Sequence, residues 1–125
     1  KEFQNNKVTV CRRDTGEKEE ISPDQLSQLS SILEDIQKDM YNSASTFLEE
    51  NTFELNDYSE FKKLLSKENC FIKTYWDGSD VSELKIKQET KATIRCILED
   101  VNDSNLKCIF SGEPAKHLVV FAKAY

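Results

Sequence analysis

The chemistry open to this chain is narrow, because the residue types that usually do chemistry are few and scattered. His117 is the one histidine. Neither a histidine dyad for nucleophilic catalysis nor a multi-histidine metal site is therefore available. The four cysteines, Cys11, Cys70, Cys96 and Cys108, never form a CxxC pair, and we expect reduced thiols placed in the core rather than disulfides. Adjacent carboxylates occur at Glu49-Glu50 and Glu99-Asp100, but both pairs sit in polar stretches and read as solvated charge, not as a general acid and base. Three glycines cannot build a phosphate-cradling loop. The chain by itself carries no catalytic constellation.

Charge narrows the binding classes in the same way. The net charge is −6 and unevenly spread: residues 1–18 hold five basic and three acidic side chains, residues 19–69 four and twelve, residues 70–125 eight of each. Nucleic-acid binders show a basic face because phosphate neutralisation dominates their affinity. Only the first segment looks even mildly basic. No apolar run approaches the ~20 residues of a membrane span, and no secretory signal opens the chain. We expect a cytoplasmic protein, and Lys1-Glu2-Phe3 reads as a cut through a longer one.

The elements that must position these residues follow from periodicity and punctuation. Lys7 to Arg13 alternates as a half-buried strand, Asp14-Thr15-Gly16 turns, and Lys18 to Ile21 returns. Ser22 and Gln25 form a capping box around Pro23 at the start of a helix. Leu26, Leu29, Leu33, Ile36, Met40, Ala44, Phe47 and Leu48 then give one apolar stripe to about residue 50. Thr52 to Leu55 is a short strand, and Asp57 with Glu60 caps a helix burying Tyr58, Phe61, Leu64 and Leu65. Cys70 to Trp76 is β-branched and aromatic, hence a strand. Gly78-Ser79-Asp80 opens a third helix, expected to bury Val81 and Leu84 and to end near Lys91. Thr93 to Leu98 is a strand, Lys107 to Phe110 a short apolar piece, and His117 to Tyr125 a final strand. The fold class is therefore α+β: a two-layer β-α-β-α-β-β domain with helices on one face of a mixed four-stranded sheet, preceded by a hairpin and a long helix.

Several strings in this order resemble prolyl-tRNA synthetase, in the archaeal/eukaryotic-like subgroup that has an extra C-terminal domain. VTVCRRDTGEKEEI resembles the last strand and hairpin of that family's anticodon-binding domain. FLEENTFELNDYSEFKKLL, FIKTYWDG, IKQETKATIRC, KCIFSGEPAK and the terminal FAKAY resemble the region that follows. The resemblance implies three parts: residues 1–21 as the end of the anticodon-binding domain, 22–50 as a connecting amphipathic helix, and 51–125 as the C-terminal domain. It implies a homodimeric ligase that activates proline with ATP and magnesium and charges tRNA(Pro), its catalytic groups lying outside this chain.

The family's C-terminal domain typically binds zinc through four cysteines, spaced C-x4-C after the tryptophan and C-x2-C before Pro-Ala-Lys. Here those positions are Asp77, Ser82, Cys108 and Ser111, so the resemblance implies a degenerate site from which zinc has been lost. It also implies that Lys91 stands where a glycine is usual, with φ > 0. Lastly, it implies that the carboxylate of Tyr125 folds back to support the active site, and that Arg12 and Arg13 lie towards the tRNA. The reading of a different class is a stand-alone α+β interaction module with an exposed amphipathic helix.

Overall fold

The computed structural model describes residues 6–124. The chain falls into two compact units that part between Leu48 and Glu49. The first begins with an antiparallel hairpin, β1 (Val8–Cys11) and β2 (Lys18–Ile21), registered Val8↔Ile21 to Cys11↔Lys18. Gly16 takes φ +75° in the turn, a conformation that only glycine adopts without steric cost. Ile21 is buried, whereas Val8 is exposed.

The capped helix start differs from the expected continuous helix. Pro23–Gln28 is a 3₁₀ segment, and the α-helix α1 runs only from Leu29 to Glu50. The Ser22 N–H donates to Gln25 Oε1 at 3.0 Å, so the glutamine half of the capping box forms. Leu29, Ile32 and Ile36 are half-buried, but Leu33, Met40, Tyr41 and Phe47 are exposed. The Arg12 guanidinium forks onto Asp14 at 3.1 and 2.7 Å and also reaches Asp39 of α1 at 2.7 Å, joining hairpin to helix.

The second unit is built on β3 (Thr52–Glu54), α2 (Tyr58–Lys67), β4 (Phe71–Trp76), α3 (Asp80–Thr90), β5 (Ala92–Asp100) and β6 (His117–Lys123). The sheet order is β3-β4-β6-β5, with β3 parallel to β4 and β6 antiparallel to both of its neighbours. It is the expected mixed four-stranded sheet. Because β6 enters between β4 and β5, α3 crosses over one strand rather than joining adjacent ones.

One face of that sheet carries the core. Ile72, Thr74 and Trp76 of β4 pair across to Phe121, Val119 and His117 of β6, and Phe61 and Leu65 of α2, Ile86 of α3, Ala92, Cys108 and Ile109 join them. Phe61 meets Phe121 edge to face, centroids 5.5 Å apart. Burying side chains of this size stabilises by ~1.5–3 kcal/mol each. Asp57 caps α2 by accepting from the Glu60 N–H at 2.8 Å, and Lys123 donates to the Leu65 carbonyl near its other end.

Several expectations are corrected in this unit. Val81 and Leu84 are exposed, and α3 buries Ser82, Ile86 and Thr90 instead. The rotation follows from Ser82, whose hydroxyl is tied inward. The short apolar piece Lys107 to Phe110, expected outside the strands, enters a tight loop: Lys107 bridges Pro114, and Gly112 N–H closes back on Cys108 O at 3.0 Å. β5 runs through Glu99 and Asp100, because β6 still offers Leu118 and His117 as partners there. All four cysteines are free thiols, but Cys11 and Cys96 are exposed; Cys70 and Cys108 alone are buried.

Candidate functional site

The densest polar cluster of the second unit forms where β4 ends. Asp77 follows Trp76 directly and is 9% exposed. Its Oδ1 accepts from the Ser79 N–H at 2.9 Å and from Ser82 Oγ at 2.7 Å. Its Oδ2 accepts from Ser111 Oγ at 2.6 Å. The Trp76 indole N–H donates to Ser82 Oγ at 2.7 Å, so Ser82 relays the tryptophan to the carboxylate.

Local structure explains each placement. Ser79 caps α3 by accepting from the Val81 N–H at 3.2 Å, which sets Asp77 just ahead of the helix's positive end. Gly78 allows the turn at φ +75°, and a Cβ there would lie 3.3 Å from His117 Nε2. Backbone bonds Ile109 N–H to Tyr75 O (3.0 Å) and Lys116 N–H to Trp76 O (2.8 Å) hold the 107–114 loop against β4. Burial pushes the Asp77 carboxyl upward, but hydrogen bonds from Ser111, Ser82 and the Ser79 N–H outweigh it, leaving the carboxyl below its ordinary value.

The four positions matched to zinc ligands are therefore brought together, although up to 34 residues apart in sequence. Their chemistry does not fit a structural zinc site. One carboxylate, one thiol and two hydroxyls replace the thiolate and imidazole donors such a site uses, and both hydroxyls already donate to Asp77. Among the described residues, no group of three or more His, Cys, Asp or Glu side chains is placed to hold a metal ion.

The remaining sequence-derived candidates lie elsewhere. Arg12 is engaged by Asp14 and Asp39, which raise its already high pKa; Arg13 is exposed beside it. His117 pairs through Nδ1 with Asp100 at 2.8 Å and packs against Trp76 at 5.6 Å between centroids, a structural placement. Tyr125 lies outside the described residues. Sequence reasoning missed Trp76 and Ser79 as members of the Asp77 cluster. The Asp-Gly-Ser spacing ahead of the helix was the available signal, since an Asp two residues before a Ser cap can close an Asx turn.

The model of the family described as "Prolyl-tRNA synthetase, C-terminal" matches residues 58–125, which span α2 to the end of the chain. The chain belongs to the prolyl-tRNA synthetase C-terminal family. It is similar to a proline–tRNA ligase of Amoebophilus asiaticus, 43% identical over 122 residues covering 97% of this chain and 25% of that protein. It is similar to one of Chlorobium phaeobacteroides, 46% identical over 134 residues covering 100% of this chain and 27% of that protein. A third, of Flavobacterium johnsoniae, is 40% identical over 126 residues, covering 100% and 26%. This member of the prolyl-tRNA synthetase C-terminal family thus spans about a quarter of the length of the curated relatives it matches. Among the described residues, no helix is long and apolar enough to cross a membrane.

Proposed function

We propose that this chain is the C-terminal region of a class II proline–tRNA ligase and supports that enzyme's catalytic and tRNA-binding parts without containing its active site. One observation carries the reading. Whole-chain similarity at 40–46% identity falls on only 25–27% of each ligase, and the matching family model is the C-terminal one. In the whole enzyme, proline and ATP with magnesium form prolyl-adenylate and release pyrophosphate, and the prolyl group passes to the 3′ end of tRNA(Pro). The full-length protein acts as a cytoplasmic homodimer.

Within this reading, residues 1–21 end the anticodon-binding domain, 22–50 connect, and 51–125 form the C-terminal domain. The subgroup is the archaeal/eukaryotic-like one, supported by the presence of that extra domain. Arg13 is the better placed of the two arginines for a phosphate, because the Arg12 guanidinium is already held by two carboxylates. The second unit holds no zinc, in keeping with its donor set, and the carboxylate of Tyr125 supports the active site.

The test is to express the complete reading frame containing this chain and measure proline-dependent ATP–pyrophosphate exchange and tRNA(Pro) charging, with the 125-residue chain in parallel. Activity of the complete protein with proline, and none from the chain alone, is expected. A complete protein that charges a different amino acid, or none, overturns the reading.

A further inference from the structure

We propose that the Asp77 carboxylate, held by the Ser79 N–H, Ser82 and Ser111, is a metal-free clamp that fastens the end of β4, the first turn of α3 and the 107–114 loop to one another. The inference rests on the geometry of the second unit, not on the ligase reading, so it stands or falls separately.

Backbone bonds also join the loop to β4, and the Trp76 indole joins β4 to α3, but Asp77 is the group that all three segments share. Asp77 leaves β4, Ser79 and Ser82 belong to the start of α3, and Cys108 and Ser111 belong to the loop. The carboxylate, at the end of β4, offers acceptor positions in several directions, and donors from the other two segments take them: a backbone N–H and a hydroxyl from the start of α3 on Oδ1, a hydroxyl from the loop on Oδ2. Hydrogen bonds of 2.6–2.7 Å to an ionised oxygen are of the charge-assisted kind. Each such bond contributes roughly twice what a neutral one does, and the low exposure of Asp77 protects them from competition by water. The topology equals that of a structural metal centre, in which one ion gathers ligands from separate segments; here the anion is central and the surrounding groups are donors. No metal is needed to balance the cluster, since the donors and the α3 N-terminus already face the negative charge.

Trp76 makes the clamp readable. It is the chain's one tryptophan, and its indole N–H sits on Ser82 Oγ, so its emission reports both the unfolding of this unit and the local environment of the clamp. The experiment uses the 125-residue chain, denatured in urea and followed by tryptophan emission. The variants are Ser111→Ala, Ser111→Thr, Asp77→Asn and the Asp77→Asn/Ser111→Ala double, and the wild type is also measured with added zinc and with a chelator.

A hydrogen bond to a charged group contributes about 1.5–3 kcal/mol, so Ser111→Ala and Asp77→Asn are each expected to lower the folding equilibrium constant by about tenfold or more. Ser111→Thr, which keeps the hydroxyl, restores most of it. The double variant loses less than the product of the two, because without the carboxylate Ser111 has no charged partner left to lose. Zinc and chelator leave the wild-type midpoint where it is. Effects below about twofold, or effects that simply multiply, overturn the clamp. So does one zinc per chain in the purified protein, with stability lost on chelation. Ser111 is exposed on a loop, so the alanine and threonine variants decide the question even if Asp77→Asn does not fold.

Discussion

Lys91 ends α3 in the left-handed region, at φ +65° and ψ +4°. An L-residue with a Cβ pays roughly 1–2 kcal/mol for that conformation. Nothing about the turn requires a lysine side chain, which is exposed. The chain reversal is held by backbone and by Thr90: the Lys91 N–H donates to Lys87 O at 2.9 Å, Thr90 Oγ1 to Ile86 O at 2.7 Å, and the Ala92 N–H to Thr90 Oγ1 at 3.1 Å. Ala92 is then fully buried as β5 begins, so the position cannot relax to negative φ without tearing a core residue out. Lys91→Gly removes the steric cost but admits a more flexible unfolded chain, which takes back roughly 0.5–1 kcal/mol. The net gain is about 0.5–1 kcal/mol, or ~2–8 °C in melting temperature for a domain of this size. Lys91→Ala keeps the Cβ and is the control, with little change expected. Thermal unfolding of both variants followed by circular dichroism separates the cases. If glycine and alanine behave alike, or glycine destabilises, the backbone at residue 91 is not the source of the strain.

Three further predictions concern other parts of the chain. Thr74 is fully buried and its Oγ1 finds no hydrogen-bond partner among the described residues, so Thr74→Val should raise stability by roughly 1 kcal/mol in urea unfolding; a lower midpoint would show that the hydroxyl is satisfied after all. Burial, with Glu89 beside it, pushes the Tyr58 phenol up to about 12. The fold therefore favours the neutral phenol, and that contribution is complete below the unfolded value of about 10 and lost as pH rises from there through about 12. The difference in phenolate absorbance between the wild type and Tyr58→Phe should titrate in that upper range, and an ordinary midpoint near 10 would contradict it. On the proposed function, deleting Tyr125 from the complete protein should slow prolyl-adenylate formation with the melting temperature nearly unchanged, because a misplacement of ~1 Å at a group that supports an active site can cost about a hundredfold; a rate loss that tracks lost stability would assign Tyr125 to packing alone.

Local chemistry was enough to write the order of elements in the second unit. Asp57 and Ser79 are caps because their short side chains accept from the next turn, and Phe71–Trp76 is a strand because its alternation matches the pleat of a sheet with one face in the core. The positive φ at Lys91 was also legible, from the family resemblance and the helix end it closes. What the tertiary structure alone decided was which way those elements turn and what they share. Val81 and Leu84 look like the buried face of α3, yet the bonds from Trp76 to Ser82 and from Ser82 to Asp77 rotate the helix so that Ile86 and Thr90 go inward. The short apolar piece Lys107 to Phe110 had no partner assigned by its local pattern, and it is the Ile109 N–H on Tyr75 O that holds it in a loop against β4. β6 enters between β4 and β5, a choice made by pairing across 17 residues or more and invisible to any local pattern. The Asp77 cluster depends on all three outcomes at once. A carboxylate and two hydroxyls, up to 34 residues apart in sequence, become one site only where the sheet order, the helix rotation and the loop closure place them within hydrogen-bonding distance.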